Sequence, residues 1–212
     1  SRRRRSLMPV GRFGFENTKH NHMDASDLDG DGDQDIVIGQ TRAQPYYEGR
    51  ELQILMNDGK GNFIDETSAR LGDQSSYSTG EAFNQGEGAV HLLDVNADGF
   101  IDIFDRRGDA YHPDTAPPSA GASIWLNDGA GHFVDVPPTV FPVVEPRDLA
   151  PQLSKNFTSW LKDSTPIDID NNGAVDVVSY VVTNPHPSKR YSESNLYLLT
   201  AKKLLDPSDY EK

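Results

Sequence analysis

Five aspartates occupy alternate positions in one short stretch of the 212-residue chain, DLDGDGDQD, which begins at Asp27. The β-branched run Ile36-Val37-Ile38 follows directly, so the acidic stretch leads into a predicted buried strand. Carboxylates on alternate residues of a sharply turning loop can converge on one cation. The same residues could instead form a solvated acidic turn, and a single copy does not decide between the two.

The stretch recurs twice, as DVNADGFID from Asp94 and DIDNNGAVD from Asp168, with a period of roughly 70 residues. Counted from its first aspartate, each copy has oxygen-bearing side chains at positions 1, 3, 5 and 9 and a glycine at position 6. These side chains belong to Asp27, Asp29, Asp31 and Asp35 in the first loop, Asp94, Asn96, Asp98 and Asp102 in the second, and Asp168, Asp170, Asn172 and Asp176 in the third.

A second motif recurs in phase with the first. LMNDGKGNFIDE from Leu55 and WLNDGAGHFVDV from Trp125 each predict a strand, an Asn-Asp-Gly-x-Gly turn and a second strand. The corresponding segment of the third unit, LYLLTAKKLLD, keeps the apolar strand but lacks the glycines. The outer hairpin is therefore less strongly indicated there.

One repeat unit is thus a strand, an aspartate loop, a strand, a variable loop, a strand, a glycine turn and a strand. For the second unit the strands are predicted near 89–94, 101–105, 122–127 and 132–136. Such units favour an all-β fold of β-propeller blades, each with four antiparallel strands, and three blades in this chain. The predicted segments are an N-terminal arm 1–19, blades 20–67, 89–136 and 164–205, interblade segments 68–88 and 137–163, and a tail 206–212.

The combination of D-x-[DN]-x-[DN]-G-x-x-D-[IV] with a following LNDGxGxF hairpin resembles the FG-GAP/VCBS repeats of integrin α-chain-like β-propellers. The resemblance extends over roughly residues 20–205. It implies that each aspartate loop joins the first and second strands of a blade and binds Ca²⁺.

The spacing also suits calcium chemically, because Ca²⁺ takes six to eight oxygen ligands in a flexible shell. The glycine at position 6 permits the sharp turn, and position 7, which is Asp33, Phe100 or Ala174, would contribute its backbone carbonyl. Mg²⁺ and Zn²⁺ fit less well. We therefore predict up to three calcium ions. If charge count dominates, the first loop should bind most tightly because it offers four carboxylates, although their mutual repulsion limits the gain.

Three alternatives compete with this interpretation, of which the glycine-rich nonapeptide repeat of calcium β-helices is absent from the sequence. An EF-hand or dockerin loop needs an acidic ligand at position 12, where this chain has Ile38, Asp105 and Ser179, so only the second loop could comply. Strands rather than helices are also predicted on both sides of each loop. Acidic turns without metal remain the other alternative, and three copies in register with a hairpin motif disfavour it.

Composition limits the partners. The chain has 20 basic and 33 acidic residues, and its net charge of −13 disfavours a nucleic-acid surface. It has no apolar run long enough to span a membrane and no cysteine for disulfides or thiolate sites. We interpret the start, SRRRRSLMPVG, as a mobile arm or the edge of an excised chain, and we expect an extracellular, periplasmic or cell-surface location.

Three blades cannot close a ring, because propellers need four to eight. We therefore expect a partial propeller or one completed by another chain or a second copy, with residues 11–17 as a strand of a neighbouring blade. The long loops 41–50, 106–121 and 184–194 are predicted on the face opposite the calcium loops. That face would bind a protein or glycan ligand.

Catalytic motifs are absent from the sequence: there is no HExxH, GxSxG or phosphate-binding GxxxxGK[ST], and we assign no catalytic residue. His20 and His22 could form a transition-metal pair, although solvated histidines are the simpler interpretation. The favoured function is a calcium-stabilised interaction module. The alternative is an accessory or catalytic propeller of a secreted polysaccharide- or ester-cleaving enzyme, for which His91 and Tyr111 would line the channel.

Overall fold

Twelve strands and one short helix make up the part of the chain that the structure, a computed structural model, describes. The described residues are 8–44, 50–72, 87–108, 110–111, 122–136, 158–169, 171, 173, 175–184 and 193–199. The strands form three four-stranded antiparallel sheets, so the all-β prediction is confirmed in these residues. No helix among them is long and apolar enough to cross a membrane.

The first sheet is an up-and-down meander that holds the first aspartate loop between its first two strands. Its strands are β1 (Thr18–Ser26), β2 (Asp35–Arg42), β3 (Arg50–Asn57) and β4 (Phe63–Asp65). The helix α1 (Thr67–Leu71) follows β4. The β-branched and aliphatic residues of β2 and β3 favour strands that are buried on both faces, and six of the eight residues in each strand are buried.

The second sheet repeats this order with β5 (Glu87–Leu93), β6 (Asp102–Gly108), β8 (Ala122–Asn127) and β9 (Phe133–Val136). These bounds agree closely with the strands predicted from the sequence. The second aspartate loop connects β5 to β6, and the second glycine turn connects β8 to β9. The two motifs therefore lie at the same end of the sheet, as they do in the first unit.

The third sheet departs from the repeat. It contains β10 (Thr158–Ile167), β11 (Asp176–Asn184) and β12 (Glu193–Leu199), and its fourth strand is the two-residue β7 (Ala110–Tyr111) from the second unit. β7 pairs with β10 through Ser159 and Trp160. β10 begins at Thr158, within the segment 137–163 that was predicted to be an interblade insertion. The outer hairpin predicted beyond residue 199 lies outside the described residues.

The N-terminal segment does not form the strand predicted at 11–17; these residues make turns instead. The segment covers one face of the first sheet through polar contacts. The Arg12 backbone N–H donates to Gln40 Oε1 at 2.8 Å, and Gln53 Nε2 donates to the Val10 carbonyl at 2.9 Å. The two glutamines on this face of β2 and β3 are buried, and these contacts satisfy them.

The main apolar core lies between the first and second sheets. Alternation along β3 directs Leu52, Ile54 and Met56 to this core, while Gln53 between them faces the N-terminal segment. The buried cluster is Leu28, Val37, Leu52, Ile54, Met56, Leu71, Val90, Ile103, Trp125 and Phe133. Because Leu28 is position 2 of the first aspartate loop, the loop is anchored directly in this core.

A buried ion pair also joins the two sheets. Arg50 of β3 and Asp105 of β6 are both fully buried, and Arg50 Nε lies 3.0 Å from each carboxylate oxygen of Asp105. Gly39 on β2 leaves room for the guanidinium, since a Cβ there would overlap Arg50 Nη2. Asp105 is the residue at position 12 of the second loop. Its side chain is committed to this pair, which removes the one acid that could have satisfied an EF-hand pattern.

Breaking this pair should destabilise the fold strongly. Asp105→Asn leaves the Arg50 charge buried without a counter-ion, and we expect the free energy of unfolding to fall by roughly 3–5 kcal/mol in a urea titration. The control is Glu51→Gln, which breaks the partly exposed Arg12–Glu51 pair and should cost about 1 kcal/mol or less. Equal effects from the two substitutions would contradict a structural role for the buried pair.

Candidate metal centre

The first residue of each aspartate loop shapes the turn. Its carboxylate Oδ2 accepts a hydrogen bond from the backbone N–H of the glycine at position 6, which has a positive φ of 86° to 95° in the three loops. Glycine adopts this conformation with little strain, unlike other residues. The pairs are Asp27 with Gly32 at 3.0 Å, Asp94 with Gly99 at 2.9 Å, and Asp168 with Gly173 at 2.9 Å.

The aspartate at position 9 is buried in every loop, with at most 1 % of its surface exposed. Its Oδ2 accepts a hydrogen bond from the backbone N–H at position 2, which closes the loop at its base. The donors are Leu28 to Asp35 at 3.0 Å, Val95 to Asp102 at 2.9 Å and Ile169 to Asp176 at 3.0 Å. The third loop therefore repeats the geometry of the first two in its described part.

The other oxygen of this carboxylate holds the glycine turn. Asp35 Oδ1 accepts the backbone N–H of Asn57 at 2.9 Å, and Asp102 Oδ1 accepts that of Asn127 at 2.8 Å. We call this two-sided contact the carboxylate clamp. It joins the two repeated motifs into one structural unit, which explains why they recur in phase.

The turn asparagine adds further contacts. Asn127 Nδ2 donates to the Ile101 carbonyl at position 8 at 2.9 Å, as Asn57 Nδ2 does to Gln34 at 3.2 Å. Asn127 Nδ2 also donates to the carbonyl of Leu28 in the first loop at 2.8 Å. The second glycine turn is thus bound to the first aspartate loop as well as to its own.

Position 7 has a packing role that its backbone-carbonyl assignment did not anticipate. The side chains of Asp33 and Phe100 lie against the first glycine of the adjacent turn, so a Cβ on Gly59 or Gly129 would overlap them. The two loops share this close approach, although their position 7 side chains differ chemically. The carbonyl ligand at this position remains a prediction, and Ala174 lies outside the described residues.

The first loop brings three of its predicted ligands together. Oxygens of Asp27, Asp29 and Asp35 all lie within 4.8 Å of one another, the one such group of three or more acidic or histidine side chains among the described residues. Carboxylates at this separation can share one Ca²⁺ at bond lengths of about 2.3–2.6 Å. Asp29 Oδ1 is also buried without a hydrogen-bond partner in the described structure. The residues present therefore fit a calcium ion.

The structure does not bring the remaining predicted ligands together in the same way. Asp31 is exposed, and its Oδ1 accepts the Asp33 backbone N–H at 2.9 Å. In the second loop Asn96 Nδ2 donates to Asp98 Oδ2 at 2.9 Å, so these two side chains bind each other. Asp170 and Asn172 of the third loop lie outside the described residues.

Electrostatics in the loops favour a cation. The pKa of Asp102 is raised to about 7, mainly by burial and to a smaller extent by the nearby Asp98 and Asp94, against the lowering effect of its two backbone N–H donors. Burial likewise raises the pKa of Asp35, and Asp29 and Asp31 add to this effect. A dication among these carboxylates would favour their charged forms.

The predicted histidine pair lies apart from this centre. His20 and His22 are exposed on β1, with a bulge between them. His22 Nδ1 accepts the backbone N–H of Val90 on β5 at 3.2 Å, and its ring centroid lies 5.7 Å from that of His91. His22 thus links the first and second sheets. The metal role of the pair remains a prediction.

Comparison with known families supports the repeat assignment. Residues 27–104 match the family model of the FG-GAP-like repeat, which supports an FG-GAP repeat in this part of the chain. The match begins at the first aspartate of the first loop and ends in β6, so it includes the whole first carboxylate clamp and Asp102 of the second, but not Asn127. No curated protein and no solved structure matches the chain significantly.

The carboxylate clamp should stabilise the fold without metal. Asp102→Ala leaves the buried N–H groups of Val95 and Asn127 without acceptors, so we expect the free energy of unfolding in EGTA to fall by roughly 2–4 kcal/mol. Asp98→Ala, at the exposed position 5, should change it by less than about 1 kcal/mol under the same conditions. If the two substitutions lowered the free energy of unfolding in EGTA equally, the side chain at position 9 would act only as a metal ligand.

Proposed function

We propose that the chain is a calcium-stabilised β-propeller interaction module whose sheets are blades and whose aspartate loops each bind Ca²⁺. The observation that carries the proposal is the convergence of Asp27, Asp29 and Asp35 within 4.8 Å. Asp29 Oδ1, buried without a described partner, is the kind of acceptor that a cation satisfies. The FG-GAP-like repeat over 27–104 agrees with this assignment.

Two features support the propeller architecture. The first and second sheets are four-stranded meanders with the same strand order, and they pack face to face around a shared core. Repeated blades of this kind stack around a ring of four to eight. Three such sheets would form part of a ring that further chain or a second copy completes.

Calcium would be bound in the first loop by Asp27, Asp29 and Asp35, together with Asp31 and the carbonyl of Asp33. When bound, the ion supplies positive charge that offsets the mutual repulsion of these carboxylates. The chain itself holds the loop in the shape that would receive the ion. The position 1 hydrogen bond fixes the turn and the carboxylate clamp fixes the base.

The proposed partner is a protein or glycan bound on the face opposite the aspartate loops. The loop face is occupied by interlocked structural contacts, in which each turn asparagine is bound to an aspartate loop. The opposite connections vary in length and sequence, as recognition loops do. An extracellular setting suits the proposal, because millimolar calcium there saturates even weak modular sites.

Calcium removal tests the proposal. We expect excess EGTA to lower the melting temperature by several degrees, because a ligand at 100 times its Kd stabilises the native state by about 2.7 kcal/mol. Asp31→Ala should shrink the stabilisation that calcium provides and leave the melting temperature in EGTA nearly unchanged. Differential scanning calorimetry with and without calcium measures both effects.

The matched control is Asp58→Ala in the first glycine turn. Asp58 is exposed and accepts hydrogen bonds from Lys60 and Asn62, so its loss should lower stability equally with and without calcium. Magnesium at the same concentration should stabilise much less than calcium, because it requires tighter octahedral coordination. A melting curve that EGTA leaves unchanged would refute the calcium sites.

A further inference from the structure

Arg70 is an arginine held against the first aspartate loop. Its guanidinium Nη2 donates to Asp29 Oδ2 at 3.1 Å, its Nε to Glu66 Oε2 at 2.9 Å, and its Nη1 to the Ala130 carbonyl at 3.0 Å. The Arg70 side chain is only 11 % exposed. A Cβ on Gly131 would overlap Arg70 Nη1, so the second glycine turn leaves space for this guanidinium.

Arg70 compensates for a difference in charge between the loops. The first loop has Asp29 at position 3, where the second has the neutral Asn96. At positions 1, 3, 5 and 9 the first loop has four carboxylates and the second has three, so pairing Asp29 with a guanidinium offsets the one additional charge at these positions. In the second loop the amide of Asn96 donates to Asp98, so each position 3 side chain is engaged in a different way.

We propose that Arg70 sets the calcium affinity of the first loop, as a positioning residue that lowers it. The inference rests on the proposed calcium site. Arg70 occupies one oxygen of Asp29 and leaves Oδ1, the buried oxygen without a described partner, to the ion. Its positive charge then opposes the ion through the shared carboxylate. The first loop accordingly binds calcium no more tightly than the second, despite its additional carboxylate.

The guanidinium is held where it is by more than Asp29. Glu66 is the N-cap residue of α1, one helical turn before Arg70, and the Ala130 carbonyl belongs to the second glycine turn. These two acceptors keep the positive charge beside the loop when Asp29 engages an ion. The positive charge of Arg70 therefore continues to oppose the ion after the ion is bound.

Calcium affinity in the full-length chain tests the inference. Asp98→Ala and Asp170→Ala are introduced first to weaken the second and third loops, and calcium is titrated by isothermal calorimetry. In this background Arg70→Met should tighten binding at the first loop on the order of tenfold, because a nearby cation is removed. Raising the salt concentration should shrink this difference.

Three companion variants separate charge from packing. Arg70→Lys keeps the positive charge and should stay within about twofold of the parent. Arg70→Gln removes the charge with a polar side chain, so it should tighten binding like Arg70→Met and serves if that variant folds poorly. Arg42→Met, which removes a guanidinium 5.1 Å from the Phe13 ring and away from the loop, should not change the affinity.

A cycle with Asp29→Asn completes the experiment. Arg70→Met in the Asp29→Asn background should have a much smaller effect than in the parent, because the shared carboxylate is gone. Unchanged or weaker calcium binding in both Arg70→Met and Arg70→Gln would overturn the role of Arg70 while leaving the site intact. A parent that binds no calcium at its first loop would instead refute the proposed function.

Discussion

Each repeat unit depends on one buried carboxylate at position 9 of its aspartate loop. In the first two units this group accepts a backbone N–H from the loop base and another from the glycine turn, and it has almost no contact with water. Burial of a carboxylate is costly unless hydrogen bonds and charge compensate for it. The raised pKa of Asp102 indicates that its two N–H donors compensate only in part. The proposed calcium ion would supply further compensation.

The same carboxylate connects strand pairing to the loop face. It lies at the start of β2 or β6, where the chain leaves the aspartate loop, and its turn partner lies at the end of β3 or β8. The loop and the turn therefore have a fixed relative position once the central strands pair. Sheet stacking then depends on an apolar core together with the Arg50–Asp105 pair. Desolvation offsets much of the attraction within a buried pair, so the pair adds little net stability, although removing one partner is costly.

The sequence was sufficient to predict the elements whose signals are local. Alternating apolar residues and turn glycines located the strands of the second unit, and the repeated spacing identified the loops and turns. The contacts that organise the site were not accessible in this way. Arg50 and Asp105 are far apart in sequence, and Arg70 reaches Asp29 from a short helix that has no motif of its own. β7 has only two residues, too few for a periodic signal, and residues 11–17 form turns where their sequence resembled that of an outer strand.

The contacts across the junction between the first two units require particular residues in each unit. Arg50 requires an acid at position 12 of the following unit, and only the second unit has one there, since the other two carry Ile38 and Ser179. Arg70 requires a turn that leaves space at Gly131. Units that share the repeat pattern are therefore not interchangeable in their order. A recombination event that duplicated or shuffled one unit would produce a chain with intact sheets and mismatched junctions, so the repeats can diverge in sequence while their succession stays fixed.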